Sequence, residues 1–317
     1  MITLAFVYVV AGVLFAAFAA LSAADRSNPK RLGNAAFWGL LALSFLAGDR
    51  LGDLGNGILV IGLVALAGFG ALGRGQPATT GVDERRAEAS ARGNRLFLPA
   101  LLIPVTALVG TLLLDELMLG GAPLIDPKQV TLVSLAFGVL AALGVAVAWL
   151  HPPALAPLQE GRRLIDSVGW AAVLPQMLAA LGAVFALAGV GEVVGELVRG
   201  VIPDASRLAA VAAYTVGMAA FTMIMGNAFA AFPVMTAAVG LPLVIGRFGG
   251  DPAVVAAIGM LAGFCGTLMT PMAANFNIVP AALLELKDRN GVIKAQVGTA
   301  LPMLLANTLL MYWLAFP

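Results

Sequence analysis

Charge is what this chain has least of. Its 317 residues include 18 Lys and Arg and 17 Asp and Glu, 11% in all, against about 25% in a soluble domain. So few charges cannot cover a water-facing surface. A soluble fold would also have to bury nearly all of a 61% apolar chain, which domains of this size do not do. Cysteine occurs once, at Cys265, so no intrachain disulfide can form and the thiol reads as a small packing residue. Histidine also occurs once, at His151 in a His-Pro-Pro stretch, and reads as a turn residue. No GxxxxGK, GxSxG or HExxH stretch is present, so nucleotide hydrolysis and the common hydrolytic chemistries have no motif to rest on. The net charge of +1 points to neither nucleic acid nor an anionic surface as partner.

What the chain has is apolar runs along almost its whole length, at a mean hydropathy of +0.97. A spanning helix needs about 20 largely apolar residues. That length gives spans near Leu4–Ser22, Ala35–Ala47, Asn56–Leu72, Leu96–Leu114, Thr131–Leu150, Val168–Val190, Leu208–Met225, Ala228–Gly246, Pro252–Leu284 and Val297–Phe316. The second is short and the ninth too long for one plain helix, so both are candidates for breaks or tilt. The first run has no basic segment before it and exceeds a signal-peptide core, so it reads as a retained span. The expected fold is an all-α polytopic transmembrane bundle of about ten spans. It forms one domain, 1–317, with residues 74–95 as a cytoplasmic, partly helical loop.

Basic residues orient the chain. With the N-terminus outside, the inner loops hold 13 of the 18: Arg26, Lys30, Arg31, Arg74, Arg85, Arg86, Arg92, Arg95, Arg162, Arg163, Lys287, Arg289 and Lys294. Arg50, Lys128, Arg199, Arg207 and Arg247 fall outside. That asymmetry is what the positive-inside rule expects, and Trp38, Trp149, Trp170 and Trp313 near span ends suit an interfacial belt. Glu192, Glu196 and Arg199 at helical spacing read as a helix lying along the outer surface. Lys128 in LIDPKQV and Arg162 and Arg163 in PLQEGRR read as parts of solvated turns.

Polar residues at membrane depth are costly and therefore informative. They cluster in two stretches, FTMIMGNAFAAFPVMTAAVGLP from Phe221 to Pro242 and GMLAGFCGTLMTPMAANFNIVP from Gly259 to Pro280. Pro233 and Pro271 lack an N–H and disfavour helix in the residue before them, and Gly226 and Gly266 make unwinding cheaper. A broken helix frees N–H groups at one half and carbonyls at the other, which in lipid must be buried in protein or line a cavity. Such ends can hold an anion and a cation respectively. The candidate substrate-binding residues are Gly226, Asn227, Thr267, Thr270, Asn275 and Asn277, whose amides and hydroxyls donate and accept. Backbone departures are expected over Gly226–Pro233 and Thr270–Pro280, facing each other. Gly259 and Gly263, spaced as GxxxG, read as close helix packing. No charged side chain lies well inside a span, so Na⁺ is favoured over H⁺ as coupling ion, and no cofactor is expected.

These stretches also carry a resemblance. DRSNPKR (Asp25–Arg31), LIDPKQVTLVS (Leu124–Ser134), LAPLQEGRRL (Leu155–Leu164), FTMIMGNAFAAFPVMT (Phe221–Thr236) and GFCGTLMTPMAANFNIVPAALLELKDR (Gly263–Arg289) resemble one bacterial inner-membrane family over essentially the whole chain. Long catalogued as a domain of unknown function, that family is commonly labelled the larger membrane subunit of a two-component 5-oxoproline (pyroglutamate) transporter. The resemblance implies a second, smaller membrane subunit as partner and a small cyclic carboxylate as substrate. It supplies no binding residues, so the six above rest on the physical argument. At fold level the pair also looks like a split relative of a large ion-transporter superfamily with Asn and Thr at hairpin tips.

Two other functions compete. A scaffold or accessory subunit would leave the substrate site to its partner. A membrane-embedded enzyme would need a buried nucleophile, metal cluster or acid–base pair, and the sequence displays none.

Overall fold

The structure, a computed structural model, describes residues 1–77, 80–114, 118–119, 122–199 and 206–316. Regular structure among the described residues is helical apart from a two-residue pairing of Met118–Leu119 with Ala122–Pro123 and a single bridge between Ile2 and Ile125. Among the described residues, eight helical stretches are long and apolar enough to cross a membrane. Large apolar side chains such as Ile61, Leu112 and Leu187 are exposed on them, as helices facing lipid require. The chain is an all-α polytopic membrane bundle. It divides into two compact units, Met1–Asp166 and Ser167–Pro317.

The first unit contains α1 (Leu4–Ala24), α2 (Arg31–Gly68), α3 (Val82–Arg92), α4 (Phe97–Leu113) and α5 (Val130–Leu150), and ends within α6 (Ala156–Val168). A straight helix the length of α2 would hold its ends about 57 Å apart. Instead Lys30 Nζ donates to the Gly70 carbonyl at 2.6 Å and Asn34 Nδ2 to the Gly73 carbonyl at 2.8 Å. The chain has turned back at Gly52, whose φ of 61° and ψ of −176° leave the helical region and need glycine. Asn56 Nδ2 donates to the carbonyls of Gly48 and Gly52, satisfying acceptors that the turn uncovers. So α2 is two antiparallel arms, 31–51 and 53–68, matching the second and third spans read from sequence. The first arm is longer than expected because it extends through Asp49 and Arg50. A Cβ placed on Gly62 would lie 3.2 Å from Leu40 Cδ1. Cysteines replacing Leu40 and Gly62 should therefore cross-link on oxidation in a Cys265→Ser background. Failure of that pair to couple, with the protein folded, would overturn the hairpin.

α1 lies on the first arm, where Phe15 stacks with Trp38 and Phe45 at ring distances of 5.9 and 5.7 Å. In α4 and α5, Gly110 meets Ser134 and Gly138 meets Ile103, small residues that let helices approach closely. His151 ends α5 in the left-handed region, a turn residue as expected. Lys128 is exposed beside the Asp126 turn.

The second unit holds α7 (Leu174–Leu187), α8 (Val190–Arg199), α9 (Arg207–Met225) and α10 (Ala228–Met235), which runs on as a π-helix over Thr236–Arg247. Then come α11 (Pro252–Thr267), α12 (Ala274–Leu283) and α13 (Gly291–Leu314). α9 and α10 form an antiparallel hairpin, closed along its length by the Tyr214 and Thr236 hydroxyls at 3.0 Å. α11 runs parallel to α9, with Gly259 against Tyr214 and Gly263 against Met218 and Thr222. α13 runs antiparallel to α11: Asn307 Nδ2 meets Cys265 Sγ at 3.5 Å, and the Asp251 N–H donates to the Ala315 carbonyl at 2.7 Å. Around Tyr214, Met218, Val255 and Met311 lies a fully buried core.

α8 corrects the sequence reading. A Cβ at Gly191 would lie 3.2 Å from the Val234 carbonyl, and one at Gly195 2.8 Å from that of Ala238. The helix therefore packs lengthwise against the 234–238 stretch, with Glu192 and Glu196 on its exposed side, instead of lying along a surface.

Candidate functional site at two facing helix breaks

The first break is the tip of the α9–α10 hairpin. Gly226 ends α9 with φ of 78°, its N–H donating to the Thr222 carbonyl at 2.7 Å. This left-handed cap favours glycine. Asn227 is extended and caps α10, its Oδ1 accepting from the Phe229 N–H at 2.7 Å. Asn serves here because a short side-chain oxygen can reach an orphan N–H of the first turn.

The second break separates α11 from α12 and covers 268–273. Pro271 within it offers no N–H. Thr270 Oγ1 donates across to the Met223 carbonyl at 2.9 Å and accepts from the Met272 N–H. At Gly226 any Cβ would stand 2.5 Å from the Met272 carbonyl oxygen. Thus the two breaks abut.

Asn277, on the first turn of α12, is fully buried. Its Nδ2 donates to the carbonyls of Thr267 at 2.8 Å and Thr270 at 2.7 Å, tying α12 to the carbonyl end of α11. Thr267 is buried too, its hydroxyl bonded back to the Phe264 carbonyl at 2.6 Å. Three buried side-chain oxygens here have no hydrogen-bond partner: Thr222 Oγ1, Asn275 Oδ1 and Asn277 Oδ1. The negative ends of α9 and α11 and the positive ends of α10 and α12 all converge on this place.

All six residues singled out in the sequence thus stand at or beside the paired breaks. The breaks are narrower than expected, 226–227 and 268–273 in place of Gly226–Pro233 and Thr270–Pro280. Pro233 and Pro280 lie inside α10 and α12, where the missing N–H costs one ladder bond without ending the helix. Sequence reading missed Thr222, four residues before Gly226 on the face turned to α11. Its signal was a lone Thr one turn before a helix end.

The first unit holds a polar cluster that sequence reading dispersed into solvated turns and an interfacial belt. Arg162 Nη1 pairs with Asp25 Oδ2 at 2.8 Å, the side chains only 2% and 9% exposed. Asp166 Oδ1 accepts from Trp38 Nε1 at 2.8 Å and from Asn34 Nδ2 at 2.9 Å, and Trp38 is fully buried. Asn34 in turn reads the Gly73 backbone in both directions, and Ser27 Oγ accepts from the Gln76 N–H at 2.7 Å. Burial pushes the Asp25 carboxyl up, but the Ser27 hydroxyl and N–H, with Arg162, outweigh it and hold it below its ordinary value. The cluster fastens α6 and the 71–77 segment to the α1–α2 turn. That is positioning chemistry, holding segments of the first unit together.

Neither the curated proteins nor the solved structures yield a match to this sequence. A family profile does match, over residues 5–316. The chain belongs to the family described as "Protein of unknown function (DUF979)".

Proposed function

We propose that this chain is the membrane subunit of a secondary transporter for a small carboxylate, held at the paired helix breaks. The observation that carries this reading is the meeting of two unwound segments, with Gly226 against Met272 and Thr270 bonded to Met223. Unwound backbone inside a membrane bundle is tolerated where it is buried in protein or lines a cavity, and converging half-helix ends suit an anion and a cation at once. 5-Oxoproline, which the family resemblance implies, fits this chemistry. Its carboxylate suits the N-terminal ends of α10 and α12, and its lactam supplies one donor and one acceptor for Asn side chains. A smaller membrane subunit as partner, a bacterial inner-membrane location and an outside N-terminus belong to the same reading. So does Na⁺ as coupling ion.

Uptake of 5-oxoproline by cells expressing both subunits tests it. Losing one partner of a desolvated polar group costs about 1–3 kcal/mol, so Asn227→Ala and Asn275→Ala should each weaken apparent affinity roughly 5- to 150-fold. Membrane abundance, measured alongside, should hold. Thr131→Ala, in the first unit, should do little. If both asparagine variants transport normally at normal abundance, the site lies elsewhere and the accessory-subunit function gains.

A further inference from the structure

We infer that the carbonyl side of the paired breaks is a site for one monovalent cation of the Na⁺ class, with Thr222 Oγ1 and Asn277 Oδ1 among its ligands. This deepens the transporter reading and rests on it for the ion's role in transport.

Orphaned acceptors carry the inference. The Asn277 amide cannot be turned around without loss, because both Nδ2 hydrogens are spent on the Thr267 and Thr270 carbonyls. Its oxygen is therefore fixed, fully buried, and without a partner. Thr222 Oγ1, on a fully buried residue, is in the same condition, and so is Asn275 Oδ1. An unmet buried acceptor costs about 1–3 kcal/mol, so the two on fully buried residues, Thr222 Oγ1 and Asn277 Oδ1, both beside the last turn of α11, call for a common occupant. They adjoin the C-terminal turns of α9 and α11, where the dipole ends are negative. Thr222 lies on the last turn of α9, and Asn277 is tied to the last carbonyl of α11.

The chemistry of the set selects the ion. Its oxygens are neutral amide and hydroxyl groups, and among the described residues no three His, Cys, Asp or Glu side chains group as metal ligands do. Divalent ions favour carboxylates, while a singly charged hard ion can be balanced by helix ends and neutral oxygens.

Thr222→Val gives a clean test, because the hydroxyl it removes has no hydrogen bond to lose. The purified full chain in detergent would be melted in NaCl, KCl and choline chloride at equal ionic strength, without solute. The wild type should gain a saturable rise in Tm with Na⁺ that choline does not give. Thr222→Val should melt no lower than wild type in choline, yet need at least ten times more Na⁺ for the same rise. Thr308→Val, which removes a hydroxyl bonded to Thr215 at 2.8 Å, should lose stability in every salt and keep the Na⁺ response. Absence of any Na⁺-specific rise in the wild type would overturn the site, with water then filling the acceptors. An undiminished response in Thr222→Val would overturn it equally. If Na⁺ binds as described but 5-oxoproline uptake ignores Na⁺, the site stands and the coupled-transport reading falls.

Discussion

Gly226→Ala is expected to abolish solute uptake, while Gly249→Ala leaves it intact. Both glycines have strongly positive φ, 78° and 72°, so either substitution incurs a left-handed penalty of about 1–2 kcal/mol. Their surroundings differ. Nothing lies within 4 Å of a Cβ at Gly249, whereas at Gly226 the methyl would sit 2.5 Å from the Met272 oxygen and 2.7 Å from its carbonyl carbon. Those are backbone atoms and cannot swing aside, so the alanine must push the hairpin tip away from the second break. Taking about 1–3 kcal/mol for overpacking, the total is about 2–5 kcal/mol, concentrated at the contact on which the proposed transport rests. Uptake and Tm measured on both variants decide the matter. Equal behaviour would mean that the meeting of the two breaks has no part in transport.

Arg162→Met should produce the largest loss of stability in the first unit. It keeps the length of the side chain but leaves the Asp25 and Asp166 carboxylates buried without their cation, and breaking a buried pair from one side costs about 3–5 kcal/mol. The pH dependence should change with it. In the wild type Asp25 is held below its ordinary 3.8, so its contribution is present above that value and lost as pH falls through the lower folded value. Without Arg162 only the Ser27 hydroxyl and N–H still hold the Asp25 carboxyl down against burial, so its folded value rises and the variant should lose less further stability than wild type as pH falls through about 4. Thermal melts from neutral pH down through that range check this. Asp25→Asn added to Arg162→Met should recover part of the loss. A variant as stable as wild type at pH 8 would show that the pair positions nothing.

Which parts of this were readable beforehand follows from the range of the interactions involved. The spans were legible because lipid demands about 20 apolar residues whatever the tertiary packing, and α9, read as Leu208–Met225, runs from Arg207 to Met225. The paired breaks were legible because Gly, Pro and Asn act locally on the backbone, at Gly226 and Pro271 alike. Their extent was not, since whether Pro233 kinks or ends a helix depends on what packs around it. The Arg162–Asp25 pair was hidden for a different reason. Residues 137 positions apart carry no local sign that they will meet, and an Arg in PLQEGRR resembles any solvated turn. Trp38 misled in the same way, because indoles near span ends often sit at an interface while this one donates inward to Asp166. For α8, the exposed glutamates outweighed Gly191 and Gly195 on the opposite face, and only the helix from 228 to 247 gives those glycines a meaning.

The Gly52 turn also constrains how the chain enters the bilayer. Asp49, Arg50 and Asp53 stand at or next to the bend between the two arms of α2, so under the proposed orientation, with the N-terminus outside, three charges would be carried through the hydrocarbon during biogenesis. Each costs about 2.5–3.5 kcal/mol at the centre of a translocating helix. Neither arm is long enough to spread that cost, the returning one, 53–68, rising only about 24 Å. The two arms would therefore insert together, with α1 already in place to receive the first, and membrane integration of residues 1–68 becomes a single cooperative event.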